Sequence, residues 1–170
     1  IRANTEGNII AVGAKNDNSK GYHAGAVYAI RSPADDCVLT VDNTFIKITP
    51  SASYDDQQFS SYSIDLSRDG GTLIVGDGNY DGLEGRSHVF DIDWYNMFTN
   101  PYNEVAIPSG AFDDISFTSL PRKFGQLVNV SSDGSIIFIK DTYSIRSYSS
   151  TDPRENTARS FTYDKKIVSF

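Results

Sequence analysis

Internal repetition constrains this chain more than any single motif, because a repeated unit can bury its apolar face only against its neighbours. Pro50-Ser51-Ala52-Ser53-Tyr54-Asp55-Asp56-Gln57-Gln58-Phe59 recurs as Pro108-Ser109-Gly110-Ala111-Phe112-Asp113-Asp114-Ile115-Ser116-Phe117, an offset of 58 (108 − 50). Both segments read Pro-Ser-x-x-aromatic-Asp-Asp-x-x-Phe. Downstream, Ile64-Asp65-Leu66-Ser67-Arg68-Asp69-Gly70 recurs as Val128-Asn129-Val130-Ser131-Ser132-Asp133-Gly134 at an offset of 64 (128 − 64), with about six residues inserted around Leu120-Pro121-Arg122-Lys123. A third copy stands near the start, where Gly7-Asn8-Ile9-Ile10-Ala11-Val12-Gly13 matches Gly70-Gly71-Thr72-Leu73-Ile74-Val75-Gly76 at an offset of 63 (70 − 7). Each apolar run leads through a polar loop to another strand, Ala26-Val27-Tyr28-Ala29-Ile30 in the first copy and His88-Val89-Phe90-Asp91-Ile92 in the second. In the third the loop shrinks to about Asp141-Thr142.

Every copy favours strands. Ser63-Ile64-Asp65-Leu66 and the stretch from Gln126 to Val130 alternate, Ile136-Ile137-Phe138-Ile139 is β-branched and aromatic, and ten Phe and ten Tyr suit pleated surfaces. Asp69-Gly70 and Asp133-Gly134 sit where a tight hairpin needs positive φ, and Pro50, Pro101, Pro108, Pro121 and Pro153 lie outside the runs. No window of about twelve residues keeps a helical period; a short helical turn or a loop is expected over 93–98. The expected fold is all-β: four-stranded antiparallel propeller-type blades in tandem, about three units near 1–48, 49–107 and 108–170, forming a single repeat domain over 1–170. Propellers close with at least about four blades, so the arc is expected to be completed by other sequence or by partners.

Composition removes several function classes. At 170 residues the chain is sized for one domain, and 15 Lys and Arg against 22 Asp and Glu give a net charge of −7. Such a surface repels phosphate backbones and anionic lipid, and Lys165-Lys166 is too short a basic run to offset it, so nucleic acid is not an expected partner. The single Cys37 closes no internal disulfide and makes no cysteine-based zinc site; it is expected to pack as a small apolar residue. No apolar run approaches the roughly 18 residues of a membrane span and no leader pattern opens the chain, so membrane insertion is not expected. Beginning at Ile1 and entering patterned sequence at once points to processing or to a piece of something longer.

Phe124-Gly125-Gln126-Leu127-Val128-Asn129-Val130-Ser131-Ser132-Asp133-Gly134 resembles the opening phrase of an FG-GAP repeat, in which Phe-Gly precedes an alternating strand and an Asp-Gly turn. The continuation, a run ending in Val-Gly-Ala, is matched by Ile9-Ile10-Ala11-Val12-Gly13-Ala14, followed by a polar loop and Gly25-Ala26-Val27-Tyr28. The second copy has Phe59-Ser60-Ser61 in place of Phe-Gly and Gly76-Asp77 in place of Gly-Ala, and the third carries Lys140 where the glycine after the strand stands. The resemblance covers about two thirds of the chain. It implies a β-propeller of the kind used in integrin-like adhesion proteins, and no single activity.

Integrin-type blades carry calcium in an Asp-rich loop before the Val-Gly-Ala strand, but only Asp69-Gly70 or Asp133-Gly134 stands there, too few for six to eight oxygens. A different loop, Asp77-Gly78-Asn79-Tyr80-Asp81-Gly82, has Asp-x-Asn-x-Asp-Gly spacing, making Asp77, Asn79 and Asp81 the candidate calcium ligands. Its twelfth position is His88, Glu84 is the nearest acidic substitute, and the first copy offers Ala14, Asn16 and Asn18, so an ordinary polar turn competes with an ion site. The doublets Asp55-Asp56 and Asp113-Asp114 suit sugar chemistry, yet adjacent residues of an extended chain point apart, which favours a structural turn. His23 and His88, the latter aligned with Ala26, have no third metal-ligating neighbour in sequence and are expected to be solvated or packed. Neither a Gly-x-Ser-x-Gly elbow nor a phosphate-cradling glycine loop occurs. Trp94, Tyr95, Phe98 and Tyr102 cluster in a connector and form the candidate binding surface, with ordinary packing as the competing role. Asn129-Val130-Ser131 is a glycosylation sequon whose Asn faces outward if Val128 and Val130 face inward.

The expected function is non-catalytic: a module binding a protein partner or neighbouring subunits, with a glycan as the other ligand class, in an extracellular, cell-surface or assembly-exterior setting. A structural subunit of a shell or virion and a glycan-processing enzyme are the alternatives.

Overall fold

A computed structural model describes residues 1–32, 44–49, 55–60, 63–77, 79, 85–92, 94, 102–108, 123–150 and 161–169, with the backbone alone for 44, 102–108 and 168–169. Its strands make three antiparallel sheets of four, each a meander in chain order. The first holds β1 (Arg2–Ala3), β2 (Ile9–Ala14), β3 (Ala26–Arg31) and β4 (Thr44–Ile48). The second holds β5 (Ile64–Leu66), β6 (Thr72–Asp77), β7 (Arg86–Ile92) and β8 (Tyr102–Pro108). The third holds β9 (Leu127–Val130), β10 (Ile136–Lys140), β11 (Ser144–Ser149) and β12 (Thr162–Ser169). Among the described residues there is no helix, and so none long and apolar enough to cross a membrane.

One turn design starts every sheet. Ser67 N donates to Thr72 O (2.8 Å), Thr72 N to Ser67 Oγ (2.9 Å) and Gly70 N to Ser67 O (2.9 Å). Ser131, Ile136 and Gly134 repeat these bonds at 2.8, 2.9 and 3.0 Å. In the first sheet Asn4 takes the place of the serine, its Oδ1 accepting Ile9 N at 3.0 Å and its carbonyl accepting Gly7 N at 3.1 Å. Gly7, Gly70 and Gly134 have φ of 74°, 72° and 76°, a left-handed backbone that glycine adopts without a Cβ penalty.

Alternation then gives each sheet two apolar faces. The front of the first sheet (Ile9, Ala11, Val27, Ala29, Ile46, Ile48) packs on the back of the second (Ile64, Leu66, Leu73, Val75, Phe90, Ile92). The front of the second (Ile74, Val89) packs on the back of the third (Val128, Ile137, Ile139, Tyr148). The middle sheet is therefore covered twice, and all six residues of β6 are buried. Each Val, Leu, Ile or Phe side chain buried in this way contributes about 1.5–3 kcal/mol.

The first strands also bond to one another. Arg2, Asp65 and Asn129 occupy matching positions and form a chain, Arg2 Nε and Asn129 Nδ2 each donating to Asp65 at 3.2 Å. Asp65 Oδ2 further accepts Val130 N at 3.0 Å. In the turns, Thr5 N donates to Arg68 O (3.3 Å) and Arg68 N to Ser132 O (3.0 Å), so the same contact passes from sheet to sheet.

Strand register corrects one sequence alignment. His88 pairs with Val75 and Tyr28 with Val12, so His88 occupies the position of Tyr28, not of Ala26. The cause is the connection into the third strand, which is shorter between Asp77 and Arg86 than between Ala14 and Ala26.

Candidate functional site

The most elaborate local geometry lies in the seams between sheets. A short lead-in precedes the second and third sheets, and its aromatic residue, Phe59 or Phe124, is wholly buried. Phe59 bridges in parallel to Gly25 and Phe124 to Gly85, each glycine lying just before the third strand of the preceding sheet. A Cβ on Gly25 would fall 2.5 Å from Phe59 O, and one on Gly85 2.3 Å from Phe124 N. The next lead-in residue presses on a second glycine: a Cβ on Gly13 would meet Ser60 Oγ at 2.8 Å, and one on Gly76 would meet Gly125 O at 1.9 Å. Only glycine leaves room for such backbone approach. The lead-ins share an unusual backbone, with φ of 54° and 70° at Gln58 and Ser60 and of 49° and 89° at Lys123 and Gly125. Phe59-Ser60 and Phe124-Gly125 thus make one and the same contact. Phe117, aligned with Phe59 by the Pro-Ser phrase, lies outside the described residues.

Behind each lead-in aromatic stands a buried carboxylate with a basic side chain. In the second sheet Gln57 Nε2 donates to Asp77 Oδ2, His88 Nε2 lies 3.6 Å from the same oxygen, and the His88 ring meets Phe59 edge-on at 5.2 Å. In the third, Arg146 Nη2 donates to Asp141 at 3.0 Å, and the guanidinium lies 5.7 Å from the Phe124 ring centre. Burial makes the Arg146–Asp141 pair costly to break, since removing one member strands the other's charge. In the first sheet these two positions are Ala14 and Tyr28.

At the lead-in end of the first seam the surface carries four exposed or half-exposed side chains. Tyr22 N donates to Asp55 Oδ1 at 2.7 Å, and His23 Nδ1 lies 3.2 Å from Asp56 Oδ1. The Tyr22 ring stacks on His23 at 3.9 Å while remaining 59% exposed. Nearby, Asp17 accepts Lys47 Nζ (2.7 Å) and the Tyr28 hydroxyl (2.8 Å). The Lys47 ammonium, followed by Ser19, holds the Asp17 carboxyl well below the usual carboxylate range.

The expected site residues are distributed as follows. Asp77 ends β6 with its side chain buried toward Gln57 and His88, Asn79 sits half-buried in the turn beyond, and Asp81 lies outside the described residues. Among the described residues no group of three or more His, Cys, Asp or Glu is placed to hold a metal. Trp94 packs against the core between the first two sheets and donates its indole N–H to Gly70 O at 3.0 Å. Tyr102 pairs in backbone with Ile92, two residues before Trp94, so both stand at one end of the β7–β8 hairpin. Tyr95 and Phe98 lie outside the described residues, as do Cys37, Asp113 and Asp114. Asn129 is exposed between Val128 and Val130. Sequence reasoning missed Tyr22, whose signal was the Asp55-Asp56 doublet of the lead-in; of the two roles expected for His88, solvated or packed, it takes the packed one.

No protein-family model matches the chain, and no curated protein or solved structure is significantly similar to it.

Proposed function

We propose that this chain is a non-catalytic propeller-type module, similar to FG-GAP blades, that binds protein partners or neighbouring subunits in a surface, adhesion or multi-subunit setting. What carries the reading is the exposure of the two outermost sheet faces. The back of the first sheet leaves Phe45 66% exposed, and the front of the third leaves Leu127 and Ile136 43% and 38% exposed. Equivalent faces inside the molecule are covered by a neighbouring sheet, and apolar faces of this kind mark contact surfaces. A structural role in a larger shell or virion rests on the same faces, with neighbouring chains as the cover.

A glycan is the second ligand class, supported by the exposed Tyr22 ring beside His23, Asp55 and Asp56. Each of these carboxylates already has a partner, which favours a binding or structural role over acid–base chemistry. Light scattering and a glycan panel test the proposal together. Association without turnover is the expected result, whereas a strictly monomeric chain that hydrolyses a glycan overturns it.

A further inference from the structure

We infer that Tyr22, Asp55 and Asp56 form a site for one uncharged pyranose ring of a glycan, a site that rests on the glycan reading above and gives it a sugar class and a role for each residue.

The two seams differ at four places. Both are closed by the same bridge, Gly25 to Phe59 in the first and Gly85 to Phe124 in the second. Counted back from those residues, Tyr22, His23, Asp55 and Asp56 of the first seam correspond in sequence to Gly82, Leu83, Leu120 and Pro121 of the second. A seam of this design therefore needs no aromatic ring, imidazole or carboxylate there. The four side chains of the first seam are additional to joining the sheets.

They hold one ring in place. Tyr22 is fixed on both sides of its backbone, its N–H donating to Asp55 Oδ1 at 2.7 Å and its carbonyl accepting Asp56 N at 2.6 Å. His23, anchored through its own N–H to Asn18 Oδ1 at 2.7 Å, stacks on the ring at 3.9 Å. His23 and Asp56 adopt left-handed φ of 50° and 60° in this arrangement, a region that residues other than glycine seldom visit. An aromatic so fixed, yet 59% exposed, is a flat platform that loses little freedom when a ligand covers it.

The groups around the ring select the ligand. One oxygen of Asp55 is taken by Tyr22 N and one of Asp56 faces His23 Nδ1 at 3.2 Å, which leaves a single acceptor on each exposed carboxylate. A pyranose matches this set, with a face of C–H bonds to lie on the ring and rim hydroxyls to donate to the two oxygens. A guanidinium binds best through both oxygens of one carboxylate, and neither pair is open here. Sialylated, sulfated and uronic sugars are repelled by Asp55, Asp56 and the net charge of −7, so the sugar is uncharged.

Saturation-transfer NMR of the full chain with methyl β-galactoside and methyl β-glucoside is expected to give a dissociation constant on the order of 1 mM for at least one of them, as suits a single ring. Tyr22→Phe keeps the platform and should stay within about threefold of wild type, whereas Tyr22→Ala should weaken binding at least about tenfold. Asp55→Asn and Asp56→Asn keep shape and an acceptor oxygen, and each should weaken it about two- to fivefold. These positions are exposed, so Trp94 fluorescence should be the same in every variant. No binding of either glycoside, a preference for sialyllactose, or capture of an arginine-containing peptide that Tyr22→Ala abolishes overturns the site. Glycoside binding that survives Tyr22→Ala overturns it too, while leaving the glycan reading standing. Association in light scattering, on which the module reading depends, should be equal for Tyr22→Ala and wild type, so the two fail separately.

Discussion

At the scale of single residues, the glycines facing a lead-in carry more of the fold than their size suggests. Gly76→Ala places a Cβ against the Gly125 carbonyl and should cost about 2–4 kcal/mol, measured by urea denaturation. Ser60→Gly should be close to neutral, because relief of a left-handed φ of 70° offsets loss of the Ser60 Oγ to Ala26 O bond. Asp77→Ala removes the buried acceptor of Gln57 Nε2 and should cost about 1–3 kcal/mol. Because that carboxylate is turned inward, calorimetric titration with calcium is expected to show no heat that Asp77→Asn removes. A calcium-dependent heat lost in the variant would restore the ion site.

At the scale of elements, turns and strand ends define where pH acts. Asp17 is held well below its ordinary value of 3.8 by Lys47 and Ser19, so the stability it contributes is present above about pH 4 and lost as pH falls toward its folded value. The melting-temperature advantage of wild type over Asp17→Asn should therefore shrink between pH 6 and pH 2, ends chosen as roughly bracketing that titration. Tyr148 behaves in the opposite sense. Burial pushes its phenol up to about 12, so its contribution is present below 10 and lost as pH rises toward 12, and Tyr148→Phe should flatten that alkaline limb. Much at this scale was legible in sequence. Asp69-Gly70 and Asp133-Gly134 announced their turns because a tight hairpin needs positive φ, whereas Asn4 was overlooked because an amide doing the work of a serine hydroxyl leaves no shared letter. The alignment of His88 slipped because length variation in a polar loop is invisible until cross-strand pairing fixes it.

At the scale of the whole molecule, every sheet shares a face with the middle one, so unfolding should be cooperative. Trp94 is the chain's only tryptophan and packs in the first seam, while far-ultraviolet dichroism reports all strands. The two signals should give superimposable urea transitions, and a separate early phase in either would show the third sheet melting alone. The seams were the part of the molecule least readable beforehand, since they join Phe124 to Gly85 and Phe59 to Gly25 across distances that no local pattern spans. Their asymmetry also bears on how such a chain can lengthen. The middle sheet lays its own lead-in aromatic, Phe59, against glycines of the sheet before it and offers Gly76 and Gly85 to the lead-in of the sheet after it, so a duplicate of it spliced beside the original would find both of its contacts ready. A unit appended beyond the third sheet would find neither glycine. Growth by copying is therefore open in the interior of this protein.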